Sequence, residues 1–216
     1  MNAGHGRGPL VGERTLSELV DPSRTALVTQ ECQGAVVGPD AGLAALADEA
    51  RREALPNIAA LLPAARAAGV RVVHCLVTRR ADGLGSNRNA RLFAVGRRGV
   101  AVTPGSAGAQ LLPEFGPDPA DLVLTRGHGL GPMGGTDLDP VLRNLGVSTI
   151  VAVGVSLNVA IPNLVMDAVN AAYDVVLPRD AVAGVPAEYG AAMVDNTLSL
   201  LATVTRTRDL LEIWKA

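Results

Sequence analysis

Three short stretches of the 216-residue chain hold the side chains able to move a proton or hold charge. The first is Gln30-Glu31-Cys32-Gln33, directly after the apolar run TALVT. Alternation along an extended strand puts Leu27, Thr29 and Glu31 on one side, and Val28, Gln30 and Cys32 on the other. A carboxyl group at such a strand end is partly desolvated, which suits proton transfer near neutral pH. The second is Thr125-Arg126-Gly127-His128-Gly129-Leu130-Gly131-Pro132. Its glycines let backbone approach a ligand closely, and Arg126 or His128 could hold a carboxylate. The third, Gly154-Val155-Ser156-Leu157-Asn158-Val159-Ala160-Ile161-Pro162, reads as a strand-to-helix turn whose amides could stabilise an oxyanion. Taken one at a time, each stretch has a plain structural reading as well: a solvated acid, a glycine loop with exposed charges, a serine that only turns the chain.

Residue counts narrow the chemistry. The only lysine is Lys215, at the end of the chain, so no mid-chain lysine exists to act in catalysis. The other strong bases are arginines, which stay protonated and make poor general bases. Three histidines, His5, His74 and His128, are too far apart in sequence to suggest a metal site. Two cysteines, Cys32 and Cys75, are too few for a disulfide scaffold and fit a reducing cytoplasm. Cys75 adjoins His74 within a predicted strand, where neighbours point to opposite faces, so packing is its default role. No Gly-x-Ser-x-Gly elbow is present, and an alanine, Ala160, stands where the third stretch would place a nucleophile. A net charge of −2 and 2% aromatic residues argue against nucleic acid as a partner. The phosphate-binding glycine fingerprints GxGxxG and GxxxxGK[ST] are absent.

These stretches need a scaffold, and the hydrophobic pattern supplies one. Val- and Leu-rich runs at 25–30, 70–77, 121–125, 148–154 and 174–177, with a weaker one at 203–205, are continuously apolar, as in parallel strands buried on both faces. Between them lie helical patterns over 43–55, 57–68 (broken at Pro56, stopped at Gly69), 158–172 and 187–201. A short helix begins at Thr136, whose hydroxyl suits an N-cap. Regular strand–helix succession predicts a three-layer, doubly wound α/β fold with a mostly parallel sheet of about six strands. Ligands should then sit at the carboxyl ends of the strands where strand order reverses. The stretch Asn144–Met166 is long enough to span a bilayer, but its Gly, Ser, Asn and Pro interruptions fit a buried strand and helix better. We expect no membrane segment and no signal peptide, with residues 1–24 an N-terminal arm and 25–216 the domain. The polar, glycine-rich segment 79–116 reads as a functional lid or interface loop.

Taken together, the three stretches resemble the isochorismatase-like superfamily of cysteine hydrolases, from Thr25 to the C-terminus. The family's ALLVxDxQ strand stands here as Ala26-Leu27-Val28-Thr29-Gln30-Glu31-Cys32-Gln33. Its FFGTDLDxxLRxLGVxTxxxxG stretch is matched by Gly135-Thr136-Asp137-Leu138-Asp139 through Arg143, Leu145-Gly146-Val147 and Gly154. Its DAxxxGYxVxxxxDAxAG stretch is matched by Asp167-Ala168 through Tyr173 to Asp180-Ala181-Val182-Ala183-Gly184, with Ala172 where glycine is usual.

The resemblance implies an Asp–Lys–Cys catalytic set, and here those positions fall at Glu31, at Gly127 beside Arg126, and at Ala160. A cysteine-dependent amidase mechanism is thereby set aside. The metal site of nicotinamidases finds no matching residues, so neither metal nor cofactor is expected. Isochorismatases without the cysteine are thought to use the first carboxylate as an acid. The expectation is thus a hydrolase of a small polar metabolite with Glu31 as acid/base and Gln33, Arg126, His128, Ser156, Asn158 and Ala160 around the substrate. The alternative is a non-catalytic relative that binds a metabolite or partner. The resemblance also implies a homodimer or homotetramer and a non-proline cis peptide at Val155–Ser156.

Overall fold

In the computed structural model the described residues are 14–95, 100–116 and 118–215. Seven parallel strands form one sheet: β1 (Thr25–Gln30), β2 (Arg71–Val77), β3 (Leu122–Arg126), β4 (Thr149–Val155), β5 (Asp174–Pro178), β6 (Val182–Ala183) and β7 (Thr203–Thr205). Their order is β3-β2-β1-β4-β5-β7, with β6 paired to the end of β4. The six expected strands are all present. The seventh, β6, is only two residues long and carries no hydrophobic period of its own; the chain gains it by pairing with Gly154 and Val155 beyond the point where β5 stops.

Continuous apolarity has its expected cause. Every residue of β1 and of β4 is buried, because helices cover both faces. Helix α1 (Leu16–Leu19) precedes the sheet and α5 (Arg91–Val95) lies in the long loop after β2; one face packs against α2 (Gly34–Val37), α3 (Ala44–Arg52), α4 (Ala54–Ala68) and α9 (Thr207–Trp214), with Leu27, Ile58, Leu62 and Phe115 at the centre. The other packs against α6 (Leu138–Asn144), α7 (Ala160–Asn170) and α8 (Ala187–Asn196), with Val28, Leu142, Ile150 and Leu164.

The helix boundary near Pro56 differs from expectation. The break falls at Glu53, and Pro56 lies in the first turn of α4, where its missing N–H is tolerated. The long uncharged stretch 144–166 resolves into β4 and the start of α7, and no helix among the described residues is long and apolar enough to cross a membrane. At α6 the helix proper opens after Asp137, although the Thr136 hydroxyl still accepts from Leu138 N–H at 3.2 Å.

Residues 14–24 of the proposed arm lie against the body. Leu19 and Val20 are buried, the Trp214 indole donates to the Val20 carbonyl at 3.2 Å, and Arg14 pairs with Asp174 at 2.6 Å. Residues 1–13 lie outside the described residues, as do 96–99 and 117 of and beside the long loop. Within that loop are a short helix at Arg91–Val95 and single 3-10 turns at Ala107–Ala109 and Pro113–Phe115.

Strand order reverses between β1 and β4, the first going on to β2 and β3, the second to β5. The crevice beyond their carboxyl ends is where doubly wound folds bind ligands. Gln30 is level with Cys75 on one side and Gly154 on the other, so all three sequence stretches open onto this edge.

Candidate active site

Glu31 leaves β1 with φ +54°, a left-handed conformation uncommon outside glycine and enriched where function holds the backbone in place. Its N–H donates to the Cys75 carbonyl at 2.9 Å, continuing the β1–β2 ladder one step past the strand. From there the carboxylate meets Arg126, the last residue of β3, whose Nη2 donates to both Glu31 Oε1 and the Leu130 carbonyl. The register explains the reach. Arg126 is level with Val77 of β2 and shares a sheet face with Leu124 and Cys75, so its long side chain crosses the end of β2 toward β1. The sequence places the family lysine at Gly127; in space the neighbouring Arg126 is the cation that faces the acid.

The surroundings of this pair are buried and incompletely satisfied. Arg126 is 7% exposed, and its Nε and Nη1 have no hydrogen-bond partner among the described residues. Gln30, on the same sheet face and fully buried, has neither amide atom bonded. A cavity of about 180 Å³ opens beside Arg126, bounded also by Cys75, Leu124, Pro132, Thr136 and Asp137; of the sequence-predicted site residues Arg126 alone lines it. An apolar cavity of ~150 Å³ is large enough for benzene, so this one suits a compact molecule of roughly six to ten non-hydrogen atoms.

Gln33 is fully buried, and its amide is engaged by backbone. Nε2 donates to the Val77 and Gly108 carbonyls at 3.0 and 2.9 Å, and Oε1 accepts from Val77 N–H at 2.6 Å. Its own N–H donates to the Glu31 carbonyl at 2.8 Å. Asn158 is engaged in the same manner, clamping both backbone groups of Val185. Gln33 thus ties the turn after β1 to the end of β2 and to the long loop, and Asn158 ties the turn after β4 to the segment before Pro186.

The turn out of β4 carries the expected cis peptide at Val155–Ser156, and a second cis bond precedes Pro186. Gly154 is required where β4 passes β1: a Cβ there would lie 2.3 Å from the Gln30 carbonyl oxygen, at φ +108°. The Ser156 carbonyl accepts from the N–H groups of both Val159 and Ile161, while Ala160, 4% exposed, heads α7. The Ala160 N–H is a first-turn amide, and the Ser156 carbonyl a turn earlier is taken by the amides on either side of it.

The glycine loop after β3 folds back over α7. Gly131 is pressed so closely on Asn163 that a Cβ would fall 1.8 Å from its Oδ1. Asn87 anchors the same loop from the 79–116 segment, accepting from Gly129 N–H at 2.8 Å. His128 is exposed on this loop beside Gly135, with no contact to Glu31 or Arg126 among those found.

Sequence reasoning named Gln30 without giving it a role and missed Asn87 and Asn163, whose roles depend on which loop lands where. It also missed a buried relay on the opposite face. Thr29 Oγ1 lies 2.7 Å from His74 Nδ1, His74 Nε2 lies 3.0 Å from Asp121 Oδ2, and Arg66 grips Asp121 at 2.5 and 3.2 Å. Burial pushes the His74 imidazolium down, against the pull of Asp121, so the ring is held neutral with Nε2–H toward Asp121. Burial also raises both thiols, Cys75 to about 12 and Cys32 beyond it, so neither supplies a thiolate nucleophile. No group of three or more His, Cys, Asp or Glu among the described residues is placed to hold a metal ion.

Comparison with known proteins agrees with this architecture. Ureidoacrylate amidohydrolase RutB of Agrobacterium fabrum (strain C58) is 29% identical over 174 residues, covering 74% of this chain and 76% of that protein. A cysteine hydrolase from Pseudomonas syringae pv. phaseolicola 1448A superposes with a TM-score of 0.78 at 24% identity, over 91% of this chain and 95% of that one. An isochorismatase family protein from Desulfovibrio vulgaris subsp. vulgaris str. Hildenborough gives 0.76 at 25% identity, over 89% and 98%. N-carbamoylsarcosine amidase from Thermoplasma acidophilum gives 0.68 at 20% identity, over 85% and 96%. The isochorismatase domain profile itself matches residues 25–209. The chain belongs to the isochorismatase family.

Proposed function

We propose that this protein is a hydrolase of a small polar metabolite that works without a covalent cysteine, with Glu31 as its acid/base. The carrying observation is the Glu31–Arg126 pair at the strand-order switch, with uncommitted N–H groups on Arg126 and an unbonded amide on Gln30 around it. Glu31 takes a proton from water as the water oxygen adds to an electrophilic carbon. The same carboxyl group then returns the proton to the departing heteroatom. A carbon–oxygen bond forms, the carbon–heteroatom bond breaks, and Glu31 ends as it began. With a vinyl ether the order reverses: Glu31, starting protonated, gives its proton to carbon, water adds to the cation formed, and the carboxylate takes the proton back as the alcohol leaves.

Arg126 holds the carboxylate in place and offers its remaining donors to substrate oxygen. The Ala160 amide is the backbone donor toward a developing oxyanion. His128 and Ser156 contact the outer part of the substrate, while Gln33 and Asn158 hold the turns after β1 and β4. The relative's name, an amidohydrolase, supports hydrolysis as the reaction class. Two unpaired buried thiols suit a reducing compartment such as the cytoplasm.

The test is turnover of a panel of small amides, ureido acids and enol ethers by the wild type and Glu31→Gln. Loss of an acid/base lowers kcat by roughly 10²–10⁴. Equal turnover by the variant would remove Glu31 from the mechanism. A second reading, a metabolite binder without turnover, rests on Glu31 being already engaged by Arg126. Thermal stabilisation by a panel member with no product formed would favour it.

A further inference from the structure

On the face of the sheet away from Arg126, β2 and β3 border a second and larger cavity of about 440 Å³. By the benzene measure of ~150 Å³ it has room for two to three aromatic rings, within the usual range of small-molecule sites. Its walls are largely apolar: Leu76 and Val123 from the strands, Pro104, Ala109 and Leu111 from the long loop. The loop is held over the strands by backbone bonds. Gly34 N–H donates to the Gln110 carbonyl at 3.0 Å, and Leu112 N–H to the Cys32 carbonyl at 3.1 Å.

The polar end of this cavity carries net negative charge. Asp118 and Asp121 both line it, and Arg66 is the cation beside them, 2.5 Å from Asp121 and 3.7 Å from Asp118. Neutral His74 adds no charge. Asp121 is 3% exposed and fully engaged by Arg66 and His74, so it is structural. The Asp118 side chain is 38% exposed, and one of its oxygens accepts from Ala120 N–H at 2.9 Å, which fixes the group while leaving it open to the cavity.

We propose that this cavity is a binding site for a compact apolar amine, its ring system between Val123 and Leu111 and its ammonium group on Asp118. An anion would meet two carboxylates against one guanidinium, and a neutral molecule of the same shape would leave the surplus charge unanswered. Val123, 52% exposed on the edge strand, forms the mouth. Because Leu76, Val123 and Thr125 also border the cavity beside Arg126, occupancy here would press on the strand that carries Arg126.

The experiment uses three isosteric probes, tryptamine, tryptophol and indole-3-acetate, titrated into the whole protein and followed by amide chemical shifts and calorimetry. Tryptamine should bind most tightly, roughly fivefold better than tryptophol, as a half-exposed ion pair allows, with indole-3-acetate weakest. Asp118→Asn should bring tryptamine to the level of tryptophol. Val123→Trp, a strand-compatible change at an exposed position, should block all three, whereas Arg126→Ala should leave tryptamine binding in place. Equal affinity for the amine and the acid, or binding that survives Val123→Trp, overturns the proposal. So does an outcome in which no probe binds but Val123→Trp converts an oligomer to monomers in light scattering, since the cavity would then belong to a second copy.

Discussion

Gln33 gives the sharpest test of how the site is held. Replacing it with leucine keeps the volume and removes three hydrogen bonds, at 3.0, 2.9 and 2.6 Å. A buried group left unbonded costs ~1–3 kcal/mol, more than the ~1 kcal/mol net worth of an ordinary hydrogen bond. Val77 N–H and the Val77 and Gly108 carbonyls are the three partners, so Gln33→Leu should destabilise the fold by about 3–9 kcal/mol. That is a large share of the ~5–15 kcal/mol available to a typical domain. Gln33→Glu should do no better, because an oxygen in place of Nε2 would face two carbonyls.

The effect should also be local before it is global. Gln33 is the strut between the end of β2, the 107–112 loop and Glu31, and Leu111 is bridged to it. Urea denaturation measures the first quantity, and hydrogen exchange at residues 107–112 and at Val77 the second. A loss under 1 kcal/mol in both variants, with protection of the loop unchanged, would refute the reasoning that Gln33 positions Glu31.

Three further outcomes follow from particular residues. Ala172 has φ +63°, where a Cβ costs ~1–2 kcal/mol, so Ala172→Gly should stabilise the fold by up to about 1 kcal/mol after the flexibility added to the unfolded chain, as read from urea midpoints. Burial holds the folded pKa of His74 below the ordinary imidazole value, so the unfolded chain takes up the proton first as pH falls. The stability that neutral His74 supports is therefore complete above about pH 6.5 and lost on acidification at up to ~1.4 kcal/mol per pH unit, and the difference between wild type and His74→Gln across pH 7.5 to 5 should follow that slope. Cys32 and Cys75 are both buried with raised pKa values, so Ellman's reagent should find no reactive thiol in the folded protein and two after denaturation.

Much of the fold was legible because it rests on local pattern. Strands buried on both faces must be continuously apolar, and β1, β2, β4 and β5 announced themselves so; β3 is as apolar yet lies exposed at the sheet edge, β7 is part-buried, and the two residues of β6 carry no period. Ala172 was visible as a departure from a motif, but its meaning, a left-handed backbone, lies only in the coordinates. Pro56 marked a helix boundary correctly in kind and three residues off in place, because proline is tolerated throughout a first turn.

The strand-end carboxylate, the glycine loop and the turn into α7 were read from residue types alone, since the chemistry of a side chain is local. Arg126 was the cation named beside the site from the sequence, but its direct contact with Glu31 was not legible, because that depends on strand register and on the reach of a side chain across β2. Whether Gln33 and Asn158 meet a ligand or the backbone was equally closed to sequence. Hydrogen bonds to Val77, Gly108 and Val185 join residues 27 to 75 positions apart, and only the packed chain decides which of them form.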